Sequence, residues 1–146
     1  MKHILLDTNI LLDRSFQRAP ANTASMEVLR RCQLGQLHGY ATGWTIMTLM
    51  YLMDAARDAK GQRIWTKPLI IAETSMLLTF ITVIEANNTA FANGLAMGWT
   101  DWEDAVIYAA GDAHPLVEAV VTKEKKFVAR TGKLPGIKAV YPSDVL

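Results

Sequence analysis

Short apolar runs alternate along this chain with longer segments that have helical spacing. The runs predict strands at residues 3–6, 38–42, 80–84, 119–122 and 137–140. The segments between them predict helices at residues 23–35, 45 to about 60, 65–78, 87 or 88 to 97, and 100–112. Strands that alternate with helices pair in parallel through right-handed crossovers. The expected fold is a three-layer α/β/α sandwich around a parallel sheet of four to five strands.

One strand has an alternative. Residues 80–84 are apolar and β-branched, which favours a buried strand. A helix that continued from Ala72 through this run would have the same composition, and short apolar runs do not distinguish the two.

The composition is that of a single packed domain spanning residues 1–146. Hydrophobic residues make up 51% of the chain and charged residues 20%, which excludes a disordered chain. The formal net charge of +1 neither indicates nor excludes a nucleic-acid partner. Any such case must therefore depend on local charge.

Cysteine usage and apolar length favour the cytoplasm. Cys32 is the single cysteine, so it has no intramolecular disulfide partner, and its helical context predicts a small buried hydrophobe. The N-terminus lacks the pattern of a signal peptide. The apolar windows are far shorter than the roughly 20 residues that cross a bilayer. We expect no membrane association.

Asp7 directly follows the first predicted strand. Ligands gather at the carboxyl ends of parallel strands, and a carboxylate buried there needs solvent, hydrogen bonds or a cation. Asp7 has two possible roles: it caps the following helix or turn, with Thr8 and Asn9, or it belongs to a functional site.

Three more acids lie together at the start of the helix at 100–112. Thr100 and Glu103 have the spacing of a capping box, which predicts a structural role for Glu103. Asp101 and Asp104 are three residues apart and are expected on one helix face. The helix macrodipole alone also favours acids here. If this pair meets Asp7, their repulsion calls for a hard divalent cation such as Mg²⁺ or Mn²⁺, which suits phosphoryl chemistry.

Four segments together resemble the PIN-domain family. They are LLDTNILLD, HGYATGWTIMTLMYLM, TDWEDAVIYAAG and AVVTKEKKF, and they cover nearly the whole chain. The resemblance is to the branch in which an Asp-Phe-Glu-Asp-Ala segment opens the late helix. It implies a parallel α/β/α sandwich and a Mg²⁺- or Mn²⁺-dependent ribonuclease. Many members of this family are VapC-type toxins that an antitoxin holds inactive.

The resemblance also assigns roles by position. Asp7 and Asp104 match metal-binding aspartates, and Asp101 matches the extra acid of the branch; these three are the predicted catalytic residues. Glu124 stands near the family's fourth acidic position and is the weakest metal candidate, since it also suits the start of a helix. Thr122 and Asn9 are expected to support the site.

Two departures from the family pattern bear on activity. Thr48 stands where many members have a glutamate on the helix after the second strand. The segment TKEKKF is one residue short and lacks the acid before its phenylalanine. A weaker metal site, lower activity or a change to pure binding would follow from either.

A basic segment follows the predicted strand at 119–122. Lys123, Lys125, Lys126 and Arg130 are expected to bind RNA phosphates beside the acids, although a solvated basic loop has the same composition. Trp44, Trp99 and Trp102 are either core residues or platforms for unpaired bases.

The sequence thus predicts a metal-dependent endoribonuclease that acts as a VapC-like toxin. The resemblance further implies RNA as substrate, a cognate antitoxin as partner, and a homodimer. The alternative is a catalytically weakened PIN-fold module that binds nucleic acid or protein. A third hypothesis is a metal-dependent phosphatase that acts on small molecules.

Overall fold

The computed structural model describes residues 1–17 and 22–146. Strands and helices alternate through most of this range. The strands are β1 (Lys2–Leu6), β2 (Leu37–Thr42), β3 (Ile81–Ile84), β4 (Ala119–Val121) and β5 (Lys138–Val140). The α-helices are α1 (Thr8–Ser15), α2 (Thr23–Gln33), α3 (Gly43–Ala55), α4 (Lys67–Leu77), α5 (Asn88–Ala96), α6 (Trp102–Ala113) and α7 (Lys125–Gly132), and a 3₁₀ turn spans Pro142–Val145.

The strands form one parallel sheet with the order β3-β2-β1-β4-β5. In its register Leu5 lies beside Tyr40 of β2 and Val120 of β4. Because all neighbours are parallel, the carboxyl ends of the strands meet at one edge of the sheet.

Alternate residues of β1 face two separate cores. Ile4 and Leu6 pack on one side, with buried side chains of α1 to α4, and Leu5 packs on the other, with α6 and α7. Helices therefore cover both faces of the sheet, as expected for buried parallel strands. The predicted α/β/α sandwich is confirmed, with five strands.

The strand at residues 81–84 settles the alternative that the sequence left open. Helix α4 ends at Leu77. A turn follows, in which the N–H of Phe80 donates to the carbonyl of Leu77 with an N···O distance of 3.1 Å. The chain then enters β3, whose residues pair with β2 from Gly39 to Thr42.

Helix α3 is shorter than predicted. It ends at Ala55, where the guanidinium of Arg57 donates to the carbonyls of Asp54 and Ala56. The carboxylate of Asp58 then accepts N–H bonds from Lys60 and Gln62, which folds these residues into a turn. The prediction of a longer helix used the spacing of apolar residues alone, and that spacing gives no information about these local polar contacts.

The cysteine and the histidines lie away from the acids. Cys32 is buried, as predicted, and burial raises the pKa of its thiol to about 12. His3 and His38 stack on one another with ring centroids 5.0 Å apart, and both rings also contact the ring of Tyr40, as does that of His114. In the part of the chain described, no helix has the length and apolar character to cross a membrane.

Candidate active site

Asp7 and Thr122 lie next to one another at the carboxyl edge of the sheet. Leu6 pairs with Val121, and the N–H of Asp7 donates to the carbonyl of Val121 at 3.0 Å. The residues that follow the two strands therefore emerge side by side, although they are separated by 115 positions in sequence.

The Asp7 carboxylate is held by three donors. The hydroxyl of Thr122 donates to Oδ2 at 2.6 Å, and the amide of Asn9 donates to the same oxygen at 2.9 Å. The N–H of Thr8 donates to Oδ1 at 2.7 Å, so Asp7 is also the N-cap of α1. Both roles considered for Asp7 are thus compatible. Thr122 and Asn9, which were expected to support the site, both lie in contact with Asp7.

Asp104 is the second buried carboxylate of the site, 7% exposed in the first turn of α6. Gly94 places this helix, because a β-carbon at that position would lie 2.9 Å from the Cα of Val106. Only glycine allows α5 to approach α6 so closely. Among the described residues, none donates a hydrogen bond to the Asp104 carboxylate.

Burial and nearby negative charges raise the pKa of both carboxyls. Burial raises the pKa of Asp7 to about 6, even though its hydrogen bonds to Thr122 and Thr8 act in the opposite direction. Burial raises the pKa of Asp104 to about 7, and the nearby negative charges, first among them Asp7, add to the effect. A cation near these groups would relieve both penalties.

The start of α6 differs from the prediction. Asp101, and not Thr100, is the N-cap, and its Oδ1 accepts from the N–H of Asp104 at 3.1 Å. The predicted capping box of Thr100 and Glu103 is therefore wrong. The carboxylate of Glu103 instead accepts from the hydroxyl of Thr8 at 2.9 Å, which links α6 to α1.

Glu103 and Glu124 both belong to the acidic surroundings. The charge of Glu103 raises the pKa of Asp7 and of Asp104, and that of Glu124 raises the pKa of Asp104. Glu124 is the N-cap residue of α7 but makes no side-chain capping bond. Sequence reasoning missed the position of Glu103, because its partner Thr8 lies 95 residues away.

These carboxylates are the type of ligand that binds a divalent metal ion, but their side chains are not arranged closely enough to enclose such an ion. Oxygen donors suit Mg²⁺ or Mn²⁺ and argue against zinc. Within residues 1–17 and 22–146, no three carboxylate, imidazole or thiol groups are gathered tightly enough to form a ready-made site. The donor set fits such an ion, provided that side chains turn toward it.

A cleft of about 1220 Å³ opens beside Asp101, Asp104 and Glu124. All four predicted phosphate-binding residues line it: Lys123, Lys125, Lys126 and Arg130. Lys123 is already paired, because its Nζ lies 2.7 Å from Oδ2 of the buried Asp13. Arg130 donates to Thr100 and lies over the ring of Trp99, 5.3 Å from its centroid. Lys125 and Lys126 are exposed.

The raised pKa values predict that the metal-free protein becomes more stable as the pH falls from 8 to 5. The two carboxyls bind protons more tightly in the folded state than in the unfolded state. Their negative charges therefore destabilise the folded state most above pH 7, and this destabilisation decreases as the carboxyls take up protons below pH 6. We expect a gain of about 2–4 kcal/mol in the free energy of unfolding. Urea denaturation in EDTA at both pH values measures it.

Two controls separate this effect from other titrations. Asp104→Asn is expected to flatten the profile, because the variant lacks the carboxyl with the higher pKa. Mn²⁺ at pH 8 should stabilise the wild type by binding the folded state. A wild-type profile that is flat between pH 5 and 8 would contradict the burial of these charges.

No family model and no curated protein matches the sequence. Solved structures do match along nearly the whole chain. A chain of a toxin–antitoxin complex from Klebsiella pneumoniae is 22% identical, with 95% of this chain and 97% of that chain covered and a TM-score of 0.62. A chain of DNA-bound VapBC from Salmonella typhimurium is 16% identical, with 97% and 99% covered and a TM-score of 0.62.

A third match has the same extent at lower identity. A chain of VapBC2 from Rickettsia felis, bound to a DNA fragment from its promoter, is 11% identical, with 95% of this chain and 98% of that chain covered and a TM-score of 0.63. These matches extend over the parallel five-stranded sheet of this chain and the helices on both of its faces. The chain therefore has the PIN-domain fold of VapC-type toxins.

Proposed function

We propose that this chain is the toxin of a toxin–antitoxin pair and that it hydrolyses RNA phosphodiesters with Mg²⁺ or Mn²⁺. The observation that carries the proposal is the pair of buried, mutually repelling carboxylates, Asp7 and Asp104, beside a cleft lined with basic side chains. Chains of similar fold come from toxin–antitoxin complexes. We place the activity in the cytoplasm.

Asp7, Asp104 and Asp101 would hold the ion, and Glu124 is a further candidate ligand. A bound divalent ion would polarise a phosphate oxygen and lower the pKa of an attacking water. Thr122 and Asn9 both donate to Oδ2 of Asp7, and these hydrogen bonds hold the carboxylate in its orientation at the carboxyl edge of the sheet. Glu103, through Thr8, ties the helix that carries Asp104 to the helix that follows Asp7.

The basic residues would bind the substrate backbone. Lys125 and Lys126 open α7 and are exposed at the cleft, so they are free to meet phosphates. Such contacts give affinity without sequence specificity and weaken as salt is added. The acids and the lysines would thus have different roles: the acids would position the metal, and the lysines would position the RNA that is cleaved.

Cleavage of single-stranded RNA tests the proposal. We expect cleavage with Mn²⁺ or Mg²⁺, no cleavage in EDTA, and a loss of about 100-fold or more for Asp7→Asn, because this carboxylate is the best-ordered candidate ligand. Glu85→Gln is the matched control, since Glu85 follows β3 at the same edge of the sheet but does not line the cleft. Equal rates for Asp7→Asn and Glu85→Gln would refute the assignment of the site.

A non-catalytic binding module is the second candidate, and one observation favours it. The described carboxylates are not gathered into a ready-made metal site. Calorimetry with Mn²⁺ separates the two functions without an activity assay. Binding that is lost in Asp104→Asn supports the nuclease, and RNA binding with no metal binding supports the module.

A cognate antitoxin and a second copy of the chain are further parts of the proposal. Structures with a similar fold contain an antitoxin chain or are VapBC complexes. Expression of the chain alone should arrest growth, and co-expression of a short antitoxin from an adjacent reading frame should restore it. Light scattering of the purified chain tests for the dimer.

A further inference from the structure

The cleft beside the carboxylates has a second wall that the metal chemistry does not use. This wall is aromatic: Trp44, Phe91 and Trp102 line the same cavity as the acids and the lysines. Trp102 is 69% exposed and Trp44 is 60% exposed. Large apolar rings left in water at a cleft mark a binding surface.

The two tryptophans come from the site ends of two different helices. Trp44 is the second residue of α3, which leaves the carboxyl end of β2, and Trp102 is the first residue of α6, two positions before Asp104. The placement of Trp102 is thus fixed by the helix start that carries Asp104, and that of Trp44 by the end of β2 at the same edge of the sheet. Rings on rigid helix ends can receive a ligand without folding of a loop.

Trp99, by contrast, packs against other side chains of the protein. Its ring contacts Phe127 and Tyr108, with centroids 5.6 and 5.8 Å apart, and Arg130 lies over it. Trp99 is therefore engaged in contacts within the protein, and it does not line the cleft. Of the three tryptophans considered from the sequence, Trp44 and Trp102 remain.

We propose that Trp102 and Trp44 form a subsite on which unpaired bases of a single-stranded RNA stack next to the bond that is cut. This inference rests on the proposed function and names the form of its substrate. The lining of the cleft indicates what kind of ligand binds there. Lys125 and Lys126 favour an anion, and the aromatic rings favour flat apolar groups on that same ligand. Single-stranded RNA carries both along its length, whereas the bases of a duplex are already stacked on one another.

Binding without cleavage tests the subsite. The probe is a labelled ten-nucleotide oligoadenylate in EDTA at low salt, measured by fluorescence anisotropy. Replacing Trp102 by leucine should weaken binding about 10-fold, because stacking on an aromatic ring is lost. Trp44→Leu should have a similar effect. Tyr51→Leu is the matched control, since Tyr51 is 70% exposed on α3 but does not line the cleft.

A second probe shows whether the bases are what the rings bind. An abasic oligomer with the same phosphodiester backbone should bind more weakly to the wild type, and Trp102→Leu should cause no further loss. Lys125→Ala should weaken both probes by the same factor. The inference is overturned if Trp102→Leu weakens the abasic probe as much as oligoadenylate, if both tryptophan variants bind like the wild type, or if neither probe binds.

These outcomes are independent of catalysis. A chain that stacks bases but never cleaves RNA with Mn²⁺ would retain the subsite and lose the proposed nuclease activity. A chain that cleaves RNA equally well with and without the two tryptophans would retain the nuclease and lose the subsite.

Discussion

Asp104→Asn should reduce RNA cleavage about 100-fold or more, yet make the metal-free protein more stable at pH 8. The loss of activity follows from the removal of a carboxylate that would hold the ion. The gain in stability follows because Asp104 is buried, accepts no hydrogen bond among the described residues, and is repelled by Asp7. Asparagine has nearly the same shape and no charge. We expect a gain of about 1–2 kcal/mol in the free energy of unfolding.

The two readouts must be measured on the same preparation. Initial rates with Mn²⁺ give the activity, and urea denaturation in EDTA at pH 8 gives the stability. Glu85→Gln should change neither. If Asp104→Asn is instead less stable than the wild type, Asp104 holds the fold together and its role in metal binding loses its support.

Lys123→Met should cost about 2 kcal/mol of stability, while leaving the salt dependence of RNA binding unchanged. The Nζ of Lys123 lies 2.7 Å from Oδ2 of Asp13, a carboxylate with no exposed surface that also accepts from Ser25 at 2.8 Å. Removing a buried charge from its ionic partner is costly, and we place the cost below the usual range because the lysine side chain is 30% exposed. Denaturation in urea measures this loss.

Lys125→Met is the matched comparison. Lys125 is exposed at the same cleft, so its loss should leave stability unchanged and reduce the slope of log affinity against log salt by about one. The opposite pattern for Lys123→Met, a smaller slope with unchanged stability, would show that Lys123 binds phosphate as the sequence suggested. The contrast between neighbouring lysines thus decides which of them faces RNA.

Much of the sheet could be predicted because buried parallel strands are short, apolar and bounded by polar residues. Asp7 stood out for the same reason, as the acid that ends β1. Helix α1 was not predicted, because it buries Asp13 and Ser15 and so lacks the pattern of an amphipathic helix. One of the partners that stabilise Asp13 in the core, Lys123, is 110 residues away.

Helix α7 was missed for a different reason. It is eight residues long and buries only Phe127 and Thr131. Its basic residues therefore suited a solvated loop equally well. The start of α6 was also misjudged, since Thr100 and Asp101 are both good caps and only the backbone distinguishes them. The contact of Glu103 with Thr8 depends on how α6 lies against α1, which no local pattern records.

The strand order has a consequence for the synthesis of the protein. Asp7 is made well before the residue that orients it, because that hydroxyl belongs to Thr122, which follows β4, and β4 pairs directly with β1. A nascent chain that has not yet produced β4 therefore lacks an organised site, whatever part of it has already folded. If the chain is a toxin, its site becomes organised only after β4 and Thr122 have been made.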